Sequence, residues 1–280
     1  MEVINNKREL VASINQCKKE GKSIGLVPTM GALHEGHLSL VKEALKDNDV
    51  IFVSIFVNPT QFNNSKDLET YPRTLENDLQ LLKEAGCSYV FTPTVEEIYP
   101  EPDNRIFDFG YLDTVMEGAN RPGHFNGVGQ IVSKLLTLIP ANKAYFGMKD
   151  FQQVAIIKQL VKIINSDTEI VKCPIIRESD GLAKSSRNAL LTKEHRKNAP
   201  IIHASLKKAS TFVGDKNVKD IEEWVINEIN SNQYLEVEYF KIVDEDTLQP
   251  VDKFENHNGV VGCITVQAGN VRLIDNITFK

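Results

Sequence analysis

The segment from residue 50 to residue 57, Val-Ile-Phe-Val-Ser-Ile-Phe-Val, restricts the fold of this chain more than any other feature. A strand with one face in water alternates apolar and polar residues. A nearly continuous apolar run is typical of a parallel strand that is covered on both faces. The segment therefore predicts an inner strand of a sheet that carries helices on both sides.

The rest of the first 176 residues repeats this alternation of short β-like runs and helical patterns, which favours βαβ units. The predicted strands are 23–28, 50–57, 89–92, 144–146 and 169–176. The predicted helices are 37–46, 74–85, 128–138 and 150–164, the last with Asp150 at its N-cap position. The fold class is therefore α/β, with a Rossmann-like, doubly wound parallel sheet in the N-terminal domain.

The pattern changes after residue 176, and a smaller α+β C-terminal domain is predicted there. A polar loop covers 178–188, helices follow at 192–212 and 218–230, and strands follow at 235–243, 259–267 and 271–278. Pro200 should interrupt the first of these helices, because it lacks the backbone N–H group that a helix interior needs. The predicted domains are 1–176 and 177–280.

Composition narrows the class of protein further. The net charge is −6, with acidic and basic residues mixed along 280 residues, so no nucleic-acid-binding surface is expected. No apolar run approaches the roughly 20 residues that a membrane helix needs, and the N-terminus lacks a signal-peptide core. The four cysteines are scattered singly, which favours buried, reduced thiols. A cytoplasmic protein without a membrane partner is expected.

The most informative segment for chemistry is Pro-Thr-Met-Gly-Ala-Leu-His-Glu-Gly-His at 28–37. It follows a predicted strand and opens a predicted helix, which is where α/β proteins bind phosphates. Gly31 and Gly36 would let the backbone approach a ligand closely. His34 and His37 would share a face at the positive end of the helix dipole, where they could donate hydrogen bonds to phosphate oxygens.

Two other interpretations of these histidines compete with the phosphate site. A single histidine is more often structural, and that interpretation is kept for His195 and His203. A zinc protease needs the pattern H-E-x-x-H, and here Leu38 stands at the fifth position, so a zinc site of that kind is excluded. Two histidines, two glycines and the strand-to-helix context together favour binding of nucleotide phosphates.

These residues carry a resemblance to a known family. His-Glu-Gly-His resembles the H-x-G-H signature of the nucleotidyltransferase superfamily, and the longer segment 28–37 resembles the pantothenate synthetase family. Further segments agree with that family in order and spacing: 56–62 (FVNPTQF), 121–125 (RPGHF), 146–153 (FGMKDFQQ) and 184–188 (KSSRN). The resemblance covers residues 20–195.

The resemblance implies an ATP site, in which His34, His37, Lys149 and Arg187 are the expected catalytic residues. The ATP-binding residues that it implies are Met30, Gly31, Ala32, Leu33, His34, Glu35, Gly36, His37, Gly147, Met148, Lys149, Asp150, Ile176, Lys184, Ser185, Ser186 and Arg187. Two hydroxyls between two cations at 184–187 also suit a phosphate clamp on chemical grounds. An ordinary surface linker there, and a solvated Lys-Asp pair at 149–150, are the competing interpretations. Many relatives have methionine where Lys184 stands, so the sequence leaves its effect on ATP open.

The resemblance also implies contacts to the other substrates. Gln61 and Gln153 are expected to bind pantoate, and Gln61 also to bind β-alanine. The amides of Asn58 and Gln61 suit hydroxyls and carboxylates, although Asn-Pro is also common in plain turns. Arg121 and His124 fall in a loop bounded by Gly and Pro that is long enough for a lid. Asp78 is the one candidate metal contact, for the Mg²⁺ that is expected with ATP.

The implied activity is an ATP-dependent ligase that forms pantothenate from pantoate and β-alanine through an adenylate, in a homodimer joined through the N-terminal domain. Three alternatives stay open. One is a nucleotidyltransferase that uses no second amine, and another is a tRNA-charging enzyme, which the short acidic chain disfavours. The third is a regulatory module that binds ATP without catalysis.

Overall fold

The loop at residues 30–36 follows the central strand of the main sheet, and at this strand the chain changes the side on which it adds new strands. The computed structural model describes all residues from Met1 to Lys280. The sheet has six parallel strands in the order β1-β4-β3-β2-β5-β6. The strands are β1 (Glu2–Ile4), β2 (Ile24–Thr29), β3 (Val50–Ile55), β4 (Tyr89–Phe91), β5 (Lys143–Gly147) and β6 (Glu169–Cys173).

Both faces of this sheet are buried, and β3 shows why its sequence is continuously apolar. Val50 and Phe52 belong to the apolar cluster on one face, whereas Ile51 and Val53 belong to the cluster on the other. Successive side chains of a strand point to opposite faces, so a sheet covered on both sides needs apolar residues at every position. The doubly wound parallel sheet predicted from the sequence is confirmed.

Helices supply the two covering layers. They are α1 (Lys7–Lys19), α2 (Glu35–Asp47), α3 (Ser65–Thr70), α4 (Leu75–Glu84), α5 (Val95–Ile98), α6 (Met116–Asn120), α7 (His124–Leu138) and α8 (Phe151–Ile163). Buried side chains of α1, α7 and α8 join the first cluster, and those of α2 and α4 join the second. The long helices predicted from the sequence are present, with ends that differ by at most four residues.

The sequence-based description omitted the first strand and the first helix. Helix α1 nevertheless carries a readable signal, since Leu10, Ile14 and Cys17 are buried on one face and Asn6 caps its start by accepting from the N–H of Glu9. Strand β1 has only three residues, and it is defined by its pairing with β4. Such pairing depends on a partner far away in sequence, so short local patterns miss it.

The winding of the sheet reverses at β2. From β2 the chain adds β3 and then β4 on one side, and it later returns to add β5 on the opposite side of β2. In open parallel sheets, ligands bind beyond the carboxyl ends of the strands at such a switch point. The residues that follow β2 and β5 are therefore the best-placed residues of this unit for binding a ligand.

Contacts divide the chain into two units. The first comprises 1–148 and 153–174, and the second comprises 149–152 and 175–280. Residues 149–152, 175 and 176, which the sequence-based division places in the N-terminal domain, thus group with the second unit. They do so because their contacts are to that unit rather than to the strands beside them in sequence.

The second unit is built from a three-stranded antiparallel sheet and three helices. The strands, in the order β7-β8-β9, are β7 (Glu236–Asp244), β8 (Val260–Ala268) and β9 (Val271–Thr278). The helices are α9 (Lys193–Asn198), α10 (Ile201–Ser210) and α11 (Val218–Asn230). Pro200 separates α9 from α10, as predicted, and the smaller α+β composition of this unit is confirmed.

The four cysteines are all free and buried, as the sequence predicts. Burial raises the pKa of Cys87 and of Cys173 to about 11, because a thiolate is poorly solvated among apolar side chains. No helix is long and apolar enough to cross a membrane.

We expect the native protein to react very slowly with a thiol reagent such as DTNB at pH 8. Burial blocks access, and the raised thiol pKa of Cys87 and Cys173 removes the reactive thiolate. In denaturant all four thiols should react at once. Rapid reaction of one or more thiols in the folded protein would contradict the packing described for these residues.

Candidate active site

The loop between β2 and α2 makes a sharp turn that only a few residues can adopt. Gly31 has φ of +80° and Ala32 has φ of +49°, both in the left-handed region. A Cβ atom at Gly31 would lie 3.1 Å from a carboxylate oxygen of Asp78 and from a methyl carbon of Ile55. Glycine is thus required at position 31 both for its conformation and for its close packing.

Asp78 holds this turn from behind. Its Oδ2 accepts the N–H of Ala32 at 2.9 Å, and its Oδ1 accepts the N–H of Leu33 at 2.8 Å and the hydroxyl of Thr74 at 3.0 Å. The Asp78 side chain lies at the start of α4 and is only 1% exposed. A buried carboxylate needs several donors of this kind, and two consecutive backbone N–H groups supply them.

The metal contact that the resemblance implied for Asp78 stays a prediction. The observed partners of the carboxylate are three hydrogen-bond donors, two of which belong to the backbone of the turn. The structure also contains no group of three or more His, Cys, Asp or Glu side chains that could hold a metal ion. The contacts of Asp78 show that it supports the loop from beneath.

Backbone N–H groups fix the ring orientation of both histidines of the loop. His34 is the N-cap of α2, and its Nδ1 accepts the N–H of Gly36 at 3.1 Å, while Nδ1 of His37 accepts the N–H of His34 at 3.3 Å. The ring centroids are 4.1 Å apart. A nitrogen that accepts a hydrogen bond carries no proton, so each neutral ring has its proton on Nε2. The pair thus presents two N–H donors at a helix N-terminus.

Gln61 lies in the same unit, in the segment that follows β3. Its Nε2 donates to Sδ of Met30 at 3.1 Å, and its Oε1 accepts from the side-chain amide of Asn58 at 3.1 Å. Asn58 is 1% exposed, and it also accepts the Tyr99 hydroxyl at 2.8 Å. Burial raises the pKa of Tyr99, so this phenol stays protonated and can donate. The structure therefore brings Gln61 beside the 30–37 loop.

Helix α7 supports this segment through a close backbone approach. A Cβ atom at Gly127 would lie 2.3 Å from the carbonyl oxygen of Thr60, so no larger residue fits there. The carbonyl of Gly127 accepts the amide of Asn58 at 3.1 Å. Nδ1 of His124 lies 2.9 Å from the carbonyl oxygen of Gln61, and Nε2 of His124 lies 3.2 Å from Arg121. His124 is thereby fixed at the start of a helix, instead of lying in the loop expected for it.

The remaining residues of the first unit lie after β5. Gly147 ends β5 and Met148 follows it, and Gln153 occupies the first turn of α8. Because β5 pairs with β2, the residues after β5 leave the sheet from the strand next to β2, which leads into the loop of His34 and His37. Gln153 is half-buried.

The second unit contains the other expected ATP-binding residues. Lys149 is 20% exposed and its Nζ lies 3.2 Å from the Asp150 carboxylate. Lys184, the residue that differs from many relatives, forms an ion pair with Glu178 at 3.1 Å. Its charge is therefore balanced by a partner within its own loop.

The turn that follows Lys184 is ordered by its own polar side chains. Oγ of Ser185 accepts the N–H of Arg187 at 3.2 Å and caps a short 3₁₀ helix at Ser186–Leu190. The side chain of Asn188 donates to the carbonyl of Ala183 at 3.0 Å. Ile176 begins this region, and its carbonyl accepts the N–H of Lys184 at 2.9 Å. Hydroxyls and cations at 184–187 thus share one compact turn.

Sequence reasoning missed the supporting residues of the first unit. Tyr99 and Gly127 were not identified, and Asp78 was identified for a different role. Gly127 carried a signal, since a glycine inside a helical pattern marks a close packing contact. Tyr99 had none, because its contact with Asn58 joins residues 41 positions apart.

Comparison with known proteins identifies the family of this chain. Residues 2–278 match the family model described as pantoate-beta-alanine ligase. The chain is 55% identical to pantothenate synthetase from Bacteroides fragilis (strain YCH46) over 280 residues, which cover 100% of this chain and 99% of that protein. It is 51% identical to pantothenate synthetase from Porphyromonas gingivalis (strain W83), with 100% of both chains covered.

Solved structures of this family have the same fold as this chain. Pantothenate synthetase from Thermus thermophilus superposes with a TM-score of 0.93 at 38% identity, covering 100% of this chain and 99% of that one. Pantoate-beta-alanine ligase from Francisella tularensis, described as complexed with beta-gamma ATP and beta-alanine, has a TM-score of 0.84 at 37% identity. That match covers 100% of this chain and 98% of that one.

We expect Asp78→Asn to lower the free energy of unfolding by about 1–3 kcal/mol, because an amide nitrogen would face a backbone N–H that loses its acceptor. Urea unfolding followed by circular dichroism measures this. The matched control is Asp49→Asn, since Asp49 also accepts a backbone N–H and a hydroxyl but is exposed. An equal shift of the unfolding midpoint in both variants would contradict the special role of Asp78.

Proposed function

This chain belongs to the pantoate–β-alanine ligase family, and we propose that it joins pantoate to β-alanine while ATP is cleaved to AMP and pyrophosphate. The reaction has two steps. The carboxylate oxygen of pantoate attacks the α-phosphorus of ATP, and the bond to pyrophosphate breaks. The amine of β-alanine then attacks the acyl carbon of pantoyl adenylate, AMP leaves, and pantothenate forms with loss of the amine proton.

The observation that carries this proposal is the pair of Nε2–H donors on His34 and His37 at the start of α2. They stand at the switch point of the sheet, where an anionic ligand also meets the positive end of the helix dipole. Charge develops on the departing pyrophosphate in the first step, and fixed donors stabilise it without reorganising. The neutral rings act in this way as hydrogen-bond donors.

The other phosphate contacts are proposed for the second unit. Lys149 supplies a point charge, and Arg187 supplies a planar guanidinium that can bind two phosphate oxygens. Ser185, Ser186 and Lys184 complete the clamp, while Gly147, Met148, Asp150 and Ile176 would line the nucleotide. The loop residues Met30–Leu33, Glu35 and Gly36 would approach it through their backbone. In this assignment the catalytic residues are divided between the units: His34 and His37 belong to the first, and Lys149 and Arg187 belong to the second.

Gln61 and Gln153 are proposed to bind pantoate, and Gln61 also to border the β-alanine site. Gln61 is supported by its fixed amide orientation, since Met30 and Asn58 engage its two ends. An enzyme that holds both reactants side by side gains a proximity advantage of several kcal/mol (about 7–11 at best). The β-alanine named for the Francisella tularensis structure supports an amine as the second substrate rather than a nucleotidyl transfer.

Mg²⁺ is proposed to arrive as the ATP complex, because it bridges phosphates and keeps most of its water ligands. A homodimer formed through the first unit is proposed from the family resemblance, and Ile106, which is 87% exposed, is an apolar side chain that such an interface could cover. A cytoplasmic location is proposed as well, since four free thiols suit a reducing compartment.

We expect pyrophosphate release from ATP and Mg²⁺ to depend on pantoate when β-alanine is withheld. In His37→Ala the rate constant should fall by about 100-fold or more, as expected when one donor to transition-state charge is lost. A coupled pyrophosphatase assay measures this in a single turnover.

The control is His257→Gln, which alters a histidine that pairs with Asp244 in the second unit. That variant should keep the wild-type rate. Wild-type protein that binds ATP but releases no pyrophosphate with pantoate would overturn the ligase proposal and favour a nucleotide-binding module.

We also expect Gln61→Leu and Gln153→Leu to raise the KM for pantoate by about tenfold or more, with the KM for ATP within twofold of wild type. The loss of one hydrogen bond to a charged group, about 1.5–3 kcal/mol, accounts for this size. Asn63→Ala is the control, because Asn63 is an exposed amide close in sequence to Gln61 that donates to the carbonyl of Pro122. A rise in the KM for ATP alone would instead place these glutamines at the nucleotide.

A further inference from the structure

Strand β9 makes two side-chain contacts that the proposed reaction has not used. Asp275 and Asn276 are adjacent on this strand, and each is 5% exposed. Buried polar side chains are retained where they hold specific partners, since burial without a partner is unfavourable. Asn276 contacts Lys149, which the proposed function assigns to ATP, and Asp275 contacts Arg177, which stands at the base of the loop that carries residues 184–187.

Asn276 holds the backbone of Lys149. Its side-chain amide donates to the carbonyl oxygen of Lys149 at 3.1 Å. This contact joins residues 127 positions apart, and it lies within the second unit, to which residues 149–152 belong. It fixes the backbone from which the Lys149 ammonium group extends.

Asp275 holds the base of the polar loop. Its two carboxylate oxygens accept both terminal nitrogens of Arg177, at 2.7 and 2.9 Å. The Asp275 side chain is 4% exposed and that of Arg177 is 20% exposed, so water screens this bidentate pair little. Arg177 also donates to the carbonyl oxygen of Gly181. This hydrogen bond ties the middle of the polar loop to its base.

A short antiparallel bridge carries this anchorage to the proposed phosphate clamp. Arg177 pairs with Ala183, and the N–H of Lys184 donates to the carbonyl of Ile176 at 2.9 Å. The carbonyl of Ala183 in turn accepts the side chain of Asn188. The turn from Lys184 to Asn188 is thus connected to Arg177 by consecutive hydrogen bonds, and through Arg177 to β9.

We propose that Asp275 and Asn276 are positioning residues for the nucleotide: together they hold Lys149 and the turn at 184–188 in a fixed relation to each other. Neighbouring positions on one strand have little freedom to move apart. Two cationic groups carried by segments distant in sequence can then meet one triphosphate without being ordered anew at each turnover. This inference rests on the proposed ATP-dependent function.

The first variant is Asn276→Ala, which removes the side-chain amide that donates to the Lys149 carbonyl. We expect the KM for ATP in pantoate-dependent pyrophosphate release to rise about tenfold, and the KM for pantoate to stay within twofold of wild type. Asp275→Asn should raise the KM for ATP at least as much, because it breaks the bidentate pair. Arg177→Lys covers the case in which Asp275→Asn fails to fold, since it keeps the charge and loses the fork geometry.

The matched control is Glu238→Gln. Glu238 also binds an arginine of β9 through two oxygens, Arg272 at 2.8 and 2.9 Å, but it does not contact residues 149–188. This variant should leave both KM values unchanged. Melting temperatures of all variants show whether any effect follows loss of stability.

An unchanged KM for ATP in Asn276→Ala and in Arg177→Lys would overturn the inference. Equal rises of the KM for ATP and the KM for pantoate would also overturn the inference, because they indicate a general structural role. The same holds for a fall in kcat alone that parallels a fall in melting temperature. Calorimetric binding of ATP separates this inference from the reaction itself. If wild type binds ATP without releasing pyrophosphate, the proposed function fails. The positioning role is then tested by ATP binding alone: weaker binding by Asn276→Ala supports it, and unchanged binding contradicts it.

Discussion

The position of β2 at the centre of the parallel sheet is the constraint on which the rest of the first unit depends. It pairs with β3 along its whole length and with β5 on its other side, so its register is fixed by two neighbours. The chain leaves its carboxyl end at the switch point, directly ahead of α2. The location of His34 and His37 therefore follows from sheet pairing, before any property of the histidines themselves is considered.

A second requirement is to hold the turn that links β2 to α2. Left-handed backbone at Gly31 and Ala32 turns the N–H groups of Ala32 and Leu33 inward, where they need acceptors. Asp78 satisfies both groups with one carboxylate. The carboxylate of Asp78 accepts hydrogen bonds from groups inside the protein, and in this way it stabilises the loop. The histidine rings do not take part in these contacts.

In the second unit, too, buried polar side chains support a loop, but they belong to a different kind of element. There an antiparallel strand, rather than a helix, provides the buried polar groups, and Arg177 connects that strand to a compact polar turn. In both units the residues expected to contact substrate lie mostly in loops, short 3₁₀ turns or first helical turns, and a carboxylate on a regular element, Asp78 of α4 or Asp275 of β9, helps to fix a loop. Loops can then carry the chemistry without losing precision.

Local patterns in the sequence were sufficient for the fold class and for most elements. The continuous apolar run of β3, the interruption at Pro200 and the strand-to-helix position of residues 28–37 each follow from residue type and spacing. The resemblance of several motifs to one family was enough to indicate the ligase activity, and membership of that family is confirmed by the match over residues 2–278. Strand β1 could not be found in this way, because three residues become a strand only through a distant partner.

The sequence by itself thus determined the fold class, most of the elements and the family. Only the tertiary structure decided that Asp78 supports a turn, that Gly127 lets α7 approach Thr60, and that residues 149–152 group with the second unit. The physical reason is that hydrogen bonds and close packing join atoms regardless of their separation along the chain. Sequence periodicity reports a residue's nearest neighbours in its own helix or strand, whereas the partner of a buried carboxylate is set by the whole fold.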